Sequence, residues 1–404
     1  MVVRNSFLRF GLAVGLVLTL SAIASACPFC NSTGRTLTQE AADAKFIVFG
    51  TLANPKFDPA AQFQGTTDLV IENIVKPDDF LKDKKSIELN RYLPVDKNTT
   101  TKYLVFCDIF NGKLDAYRGV ALRADSKIAE YLKGALAVKN KDVVTRLRFF
   151  FDYLDSGDID ISNDAYLEFA LADYRDYRPL AEKLPPNKLV KWLQDENTPL
   201  SRYGLYGSML GHCGKPEHAA ILKKLIDDPN RRFGAGIDGM LAGLVMLEPK
   251  DGWKYMVGIF SDPKKDFLLR FSALRAVRFL REYRPDLVKE DQMVAGVTYL
   301  LEQDDIADMA IEDLRKWQRW ELTDKILGLF ERKTHDVPII KRAILRFALS
   351  APAAKYPQAA NFVTAMRKKD AEWVQDVEEL LQLEMMPKPV AKPNQTAPAK
   401  PLTK

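Results

Sequence analysis

Ser201-Arg-Tyr-Gly-Leu-Tyr-Gly-Ser-Met-Leu-Gly211, with Pro216-Glu-His-Ala-Ala-Ile-Leu-Lys-Lys-Leu-Ile-Asp227 after it, reads as two short amphipathic helices joined by a turn at Gly211 to Gly214. Similar openings recur near Arg232, Leu268, Ile306 and Ile339, at successive spacings of 31, 36, 38 and 33 residues. A two-helix unit of that length cannot bury its apolar face alone. Its recurrence predicts an α-solenoid over residues 142–385.

Outward from this stretch the same punctuation holds. Pro185-Pro186, Pro199, Pro216, Asp228-Pro229, Asp262-Pro263, Pro285 and Pro338 fall between helical segments. Earlier segments at Val143–Leu154, Asp164–Ala172 and Leu189–Gln194 are also helical in pattern. Phe267 to Leu280 is the strongest amphipathic run, with Leu268, Phe271, Leu274 and Val277 on one stripe. Arg270, Arg275, Arg278 and Arg281 are expected on a solvated face, a surface that could dock an acidic partner. An Asp-Pro break followed by a basic amphipathic helix resembles HEAT repeats, which implies an extended surface for a protein partner.

Towards the N-terminus the period changes to that of strands. Phe46–Leu52, Thr66–Val75, Ser86–Leu93, Lys102–Phe110 and Leu114–Leu122 are β-branched or aromatic runs bounded by turn residues. Asn111-Gly112 predicts a type I′ hairpin, because both central residues need positive φ. Short helices are expected at Thr36–Ala44, capped by Thr36 or Thr38, and at Ser126–Leu136. Residues 27–138 thus predict a five-stranded OB-like β-barrel ahead of the all-α region, a multidomain α+β chain. The order of elements, with Ala42-Asp-Ala-Lys-Phe-Ile-Val-Phe-Gly50, Ile74-Val-Lys76 and Lys102-Tyr-Leu-Val-Phe-Cys107, resembles the netrin-like fold of tissue inhibitors of metalloproteinases. That resemblance implies the barrel and a protease-regulating role. Those inhibitors begin Cys-x-Cys, whereas this chain has Cys27-Pro-Phe-Cys30.

The two ends read as appendages. Residues 1–26 carry Arg4 and Arg9, an apolar run from Phe10 to Ile23, and Ala24-Ser25-Ala26, the pattern of a secretory signal. The chain is therefore expected to be exported, to a periplasmic, envelope or extracellular location. Cleavage after Ala26 would leave Cys27 first, a candidate for lipidation and membrane attachment. Residues 386–404 hold five prolines, four lysines and no acid, a flexible tail. Of the formal net charge of +5, Arg4, Arg9 and the tail lysines contribute six, leaving the body near −1. Such a balance predicts no nucleic-acid partner.

Few residues carry chemistry. Cys27-Pro-Phe-Cys30 has the spacing of a thiol–disulfide exchange motif, but it precedes any strand. In an exported chain Cys27, Cys30 and Cys107 are disulfide candidates, with Cys107 placed to tie the arm to the barrel. His212, Cys213 and His218 are weak metal-ligand candidates. Asp152, Asp155, Asp158, Asp160 and Asp164 are clustered, yet Gly157 is misplaced for a calcium loop and no Glu closes it. Ser162 or Asn163 is expected to cap the helix beyond. Gly234, Gly236 and Gly239 lack a preceding strand and read as close-packing positions. No catalytic residue, resident metal or cofactor is expected. The sequence predicts a non-enzymatic exported interaction protein, with thiol oxidoreductase and protease regulator as rivals.

Overall fold

A computed structural model describes residues 29, 34–95, 101–229 and 236–385. Helix α1 (Leu37–Asp43) opens on a capping box in which the Thr36 hydroxyl accepts from the Gln39 N–H and the Gln39 side chain returns to the Thr36 N–H. Strands β1 (Phe46–Phe57), β2 (Gly65–Lys76), β3 (Ser86–Leu89), β4 (Lys102–Phe110) and β5 (Lys113–Leu122) form one antiparallel sheet in the order β3-β2-β1-β4-β5. Asn111 and Gly112 both have positive φ, 51° and 75°, as the hairpin turn requires.

The expected barrel is not shown. Among the described residues β3 pairs only with β2 and β5 only with β4, so the sheet is open. Its edges are ill suited to meet. Strand β3 is four residues long, and a bulge interrupts β5 where the register shifts past Phe106.

Both faces of the sheet are buried, which is why β1 opens on an unbroken apolar run. Phe46, Val48, Val105 and Cys107 join Leu69 and Ile87 in a small cluster on one face. Ile47, Phe49, Leu104 and Phe106 enter the main core on the other. There they meet α2 (Ile128–Val138), whose Ile128 and Leu132 are fully buried. One continuous apolar cluster then runs from the sheet into the helices.

The helices continue as α3 (Val143–Phe151), α4 (Ile159–Leu171), α5 (Tyr174–Ala181), α6 (Pro186–Gln194), α7 (Tyr203–Cys213), α8 (Ala219–Asp227), α9 (Ile237–Leu247), α10 (Pro249–Phe260) and α11 (Phe267–Tyr283). After them come α12 (Glu290–Val297), α13 (Ala307–Lys316), α14 (Thr323–Leu327), α15 (Pro338–Ser350), α16 (Pro357–Lys369) and α17 (Ala371–Met385). Proline occupies the first turn of α6, α10, α15 and α16, where its missing N–H is not needed. Helix α9 packs beside α7 and α11, and α13 beside α15, while α8 and α10 cover α9.

Two joints between helices are built oppositely. Gly204, Gly207 and Gly211 of α7 face Gly239 and Gly243 of α9, with Gly236 just ahead of it. A Cβ on Gly239 would lie 2.1 Å from the Gly204 carbonyl oxygen, and one on Gly243 2.2 Å from that of Gly207. Gly236 has φ of 104°. The close-packing reading holds for Gly236 and Gly239, and Gly234 lies outside the described residues.

Of the arginines of α11 expected on a solvated face, Arg270 is buried, while Arg275, Arg278 and Arg281 are half-exposed and ion-paired. Arg270, with its side chain 4% exposed, binds Asp305 and the Gln303 side chain. Arg275 pairs with Asp238 at 2.8 Å, Arg278 with Asp313 at 2.7 Å and Arg281 with Glu290 at 3.0 Å. Local periodicity hid this, since each acid comes from another helix or loop. The buried stripe is also rotated from the expected one: Leu269, Ala273, Leu274, Val277 and Leu280 point inward, and Leu268 is exposed.

Candidate functional site

Of the residues singled out for chemistry, His212 lies against an aromatic cluster, and Phe29 of the Cys27-Pro-Phe-Cys30 motif packs into the same cluster. Tyr174 stands at the start of α5, oriented by the Asp173 cap, whose carboxylate accepts from the Arg175 N–H. Its ring packs edge-on to Phe279 of α11 at 4.7 Å and against Tyr283 at 4.7 Å. Helices α5 and α11 are separated in order by α7 and α9, so these contacts show that the four helices curl towards one another. Phe29, 2% exposed, fills the centre with its ring 4.5 Å from that of Phe279. Its carbonyl passes close to Gly204, where a Cβ would lie 2.9 Å from the Phe29 oxygen. Phe29 of the Cys27-Pro-Phe-Cys30 motif is therefore seated in the helical region.

His212, at the end of α7, receives a hydrogen bond on Nε2 from the Tyr174 hydroxyl at 2.7 Å. Burial, reinforced by the positive field of Arg284 and Arg178, pushes its pKa down to about 3. The imidazole is neutral at pH 7 and accepts. Burial pushes the Tyr174 phenol up to about 12, so it stays a donor, and Arg284 binds it in turn. Arg284 is clasped by Asp286 through two 2.9 Å hydrogen bonds. A base of this strength is far from the value that suits proton transfer at neutral pH. The network fixes geometry around Phe29.

The metal-ligand candidates do not meet. His218 accepts the Lys215 N–H on Nδ1 at 2.9 Å. Cys213, its thiol pushed up to about 11 by burial, donates to the Met209 carbonyl. Among the described residues no group of three His, Cys, Asp or Glu side chains could hold a metal ion. Cys107 is a buried free thiol, pushed up to about 12 by desolvation. The bridge expected from it to the arm is not present among the described residues. It sits in the small cluster, whereas Phe29 lies in the main one. Cys27 and Cys30, the proposed lipid site and the leader lie outside the described residues.

The acidic cluster is dispersed among separate partners. Asp152 pairs with Arg148 and Asp155 accepts from the Trp192 indole at 2.9 Å. Asp158, rather than Ser162 or Asn163, caps α4. Asp164 is buried, and desolvation raises its pKa. It accepts from the Tyr131 hydroxyl at 2.8 Å, the Thr38 hydroxyl at 3.0 Å and the Leu37 N–H. One turn on, Glu168 accepts from the Thr36 hydroxyl at 2.6 Å and the Arg146 guanidinium. This clamp between α1 and α4 went unread in the sequence. Its only local sign is a run of acids four residues apart, Asp160, Asp164 and Glu168, along one helix.

An open groove of about 480 Å³ lies at the far end of the helices. Phe330, Pro338, Met366 and Trp373 line it, with Arg342 and Lys369 among its charged residues. No family model matches the chain, and neither the curated proteins nor the solved structures contain a match to it.

Proposed function

We propose that this chain is an exported, non-enzymatic interaction protein of the bacterial cell envelope. A netrin-like β region is joined to a HEAT-like helical array that serves as the partner-binding surface. The observation that carries the reading is the recurrence of side-chain bonds about one unit apart. Tyr166 to Ser201, Arg270 to Asp305 and Arg278 to Asp313 each span 35 residues, and Arg346 to Glu312 spans 34. Helical units that bond mainly to their neighbours build extended surfaces suited to proteins rather than closed reaction chambers. Phe29 supports the same reading, because this residue just after the proposed leader lies among the helices.

The test is extraction of the protein from its host envelope under conditions that preserve complexes, followed by native mass spectrometry. The proposal expects a chain lacking residues 1–26 with a second, different protein in fixed stoichiometry. A chain that keeps its leader, or that carries no other protein, contradicts it. The thiol-exchange alternative rests on Cys27 and Cys30, and a Cys30→Ser variant that retains any measured exchange activity eliminates it. The protease-regulator alternative requires a free amine on Cys27, which N-acylation would remove.

A further inference from the structure

A second open cleft, of about 490 Å³, lies among α8, α10 and the loop that leads to α11. Lys223 of α8, Asp251, Lys254, Tyr255 and Gly258 of α10, and Lys265 of the loop line it. In the groove at the far end of the helices Lys341 is answered by Asp336. Here, among the described residues, no carboxylate pairs with Lys223, Lys254 or the half-buried Lys265. The acids nearby are turned to other donors. Asp227 accepts from the Tyr255 hydroxyl at 2.7 Å, Asp262 from the Lys264 N–H at 2.9 Å and Asp266 from the Leu268 N–H at 2.8 Å. Three lysines against Asp251 leave the lining with two positive charges in excess.

Gly258 is an independent observation. A glycine inside a helix weakens it, so it needs a reason. Gly252 of the same helix has one, since a Cβ there would lie 2.8 Å from the Leu244 carbonyl oxygen. At Gly258, which is exposed, a Cβ would meet nothing within 4 Å. Packing therefore requires Gly252 and does not require Gly258. What the missing side chain at 258 leaves is room in the cleft.

We propose that this cleft binds a phosphate ester of a polyol, a small-ligand site that goes beyond the protein partner proposed above. Unpaired ammonium groups are point charges with three donors each, suited to a tetrahedral oxyanion. No arginine, whose planar fork matches a carboxylate, is among the residues that line the cleft. Asp251 repels a phosphate and can accept from a hydroxyl, so it suits the alcohol part of the ester. Tyr255 supplies a wall held in place by its bond to Asp227, with the Lys223 ammonium 5.2 Å from its ring centroid.

Calorimetric titration of the protein as its host produces it with glycerol 1-phosphate, in a buffer free of phosphate, tests the proposal. The expected result is saturable binding that weakens at least ~10-fold in Gly258→Leu, with a melting temperature no lower than that of wild type. That variant keeps every charge, so attraction by surface lysines alone would survive it. No saturable binding to wild type overturns the proposal, as does wild-type affinity in Gly258→Leu. Should that variant fail to fold, Lys254→Gln/Lys265→Gln decides. Weakening of ~10-fold or more supports the site, and unchanged affinity overturns it. Once the site is shown, vesicles of phosphatidylglycerol in phosphatidylcholine identify its source. Co-sedimentation that Gly258→Leu abolishes assigns a lipid headgroup, and any other result assigns a soluble ester.

Discussion

The α7–α9 joint and the joints around α11 and α15 hold neighbouring helices together by opposite means. In the first, side chains are absent. Glycines at 204, 207 and 211 repeat their spacing at 236, 239 and 243, and the backbones nearly touch. In the second, long arginines reach across to carboxylates of another helix, as from Arg278 to Asp313 and from Arg346 to Glu312. Backbone contact tolerates no added atom. An ion-pair rung can be exchanged for another pair of groups that fill the same space. Among the described residues the helical region thus contains a rigid joint, which also borders Phe29, and adjustable ones further along.

The largest expected effect is at the rigid joint. Gly239→Ala forces a methyl against the Gly204 carbonyl and should cost about 3 kcal/mol in denaturant unfolding, as overpacking against backbone does. A loss below 1 kcal/mol would show that the helices can slide apart. At the adjustable joint, Arg278→Met leaves Asp313 buried without its cation and should cost roughly 2 kcal/mol. Arg278→Met/Asp313→Leu should recover most of that loss, because a packed apolar pair replaces a desolvated ionic one. A double variant as unstable as the single one would mean the rung cannot be exchanged.

The aromatic cluster beside the rigid joint should respond to acid. His212 is held neutral down to about pH 3, whereas an unfolded chain protonates it near 6.5. Between those values the unfolded state binds the extra proton, so this stabilisation is complete above pH 6.5 and is lost as pH falls towards 3. Comparing wild type with His212→Gln, whose amide oxygen can still accept from Tyr174, isolates this contribution. The stability difference should change by roughly 1 kcal/mol per pH unit between pH 6 and 4. Asp164 and Asp313 are raised and act in the opposite direction, but they cancel in that difference. The smallest effect is expected at an exposed rung. Glu290→Gln, opposite Arg281, should change stability by less than about 0.5 kcal/mol.

What could be read in the sequence was what depends on near neighbours. The apolar run Phe46–Phe49 and the Asn111-Gly112 turn act within a few residues, and each lies where expected, while Pro186 and Pro338, read as breaks between helices, open α6 and α15. Close packing was readable at Gly236 and Gly239, whereas Gly211, expected in the turn, lies inside α7. The arginine rungs were not readable, since amphipathicity ranks Arg270 as polar without knowing that Gln303 and Asp305 wait across a unit boundary. A closed or partly open barrel was expected from the number and order of strands, and neither says whether edges meet. Around the aromatic cluster, His212 stood out as a rare residue type. Its partner Tyr174, 38 residues earlier, had no local signal.

The reading of the helices as an array of neighbour-bonded units is tested most directly by hydrogen exchange of wild type and Gly239→Ala, resolved along the chain. The account predicts that protection falls in α7 and α9 and in the helices that touch them, α5, α6, α8, α10 and α11, while α13 to α17 keep theirs. An equal loss from α3 through α17 would show a single cooperative globule and contradict the array.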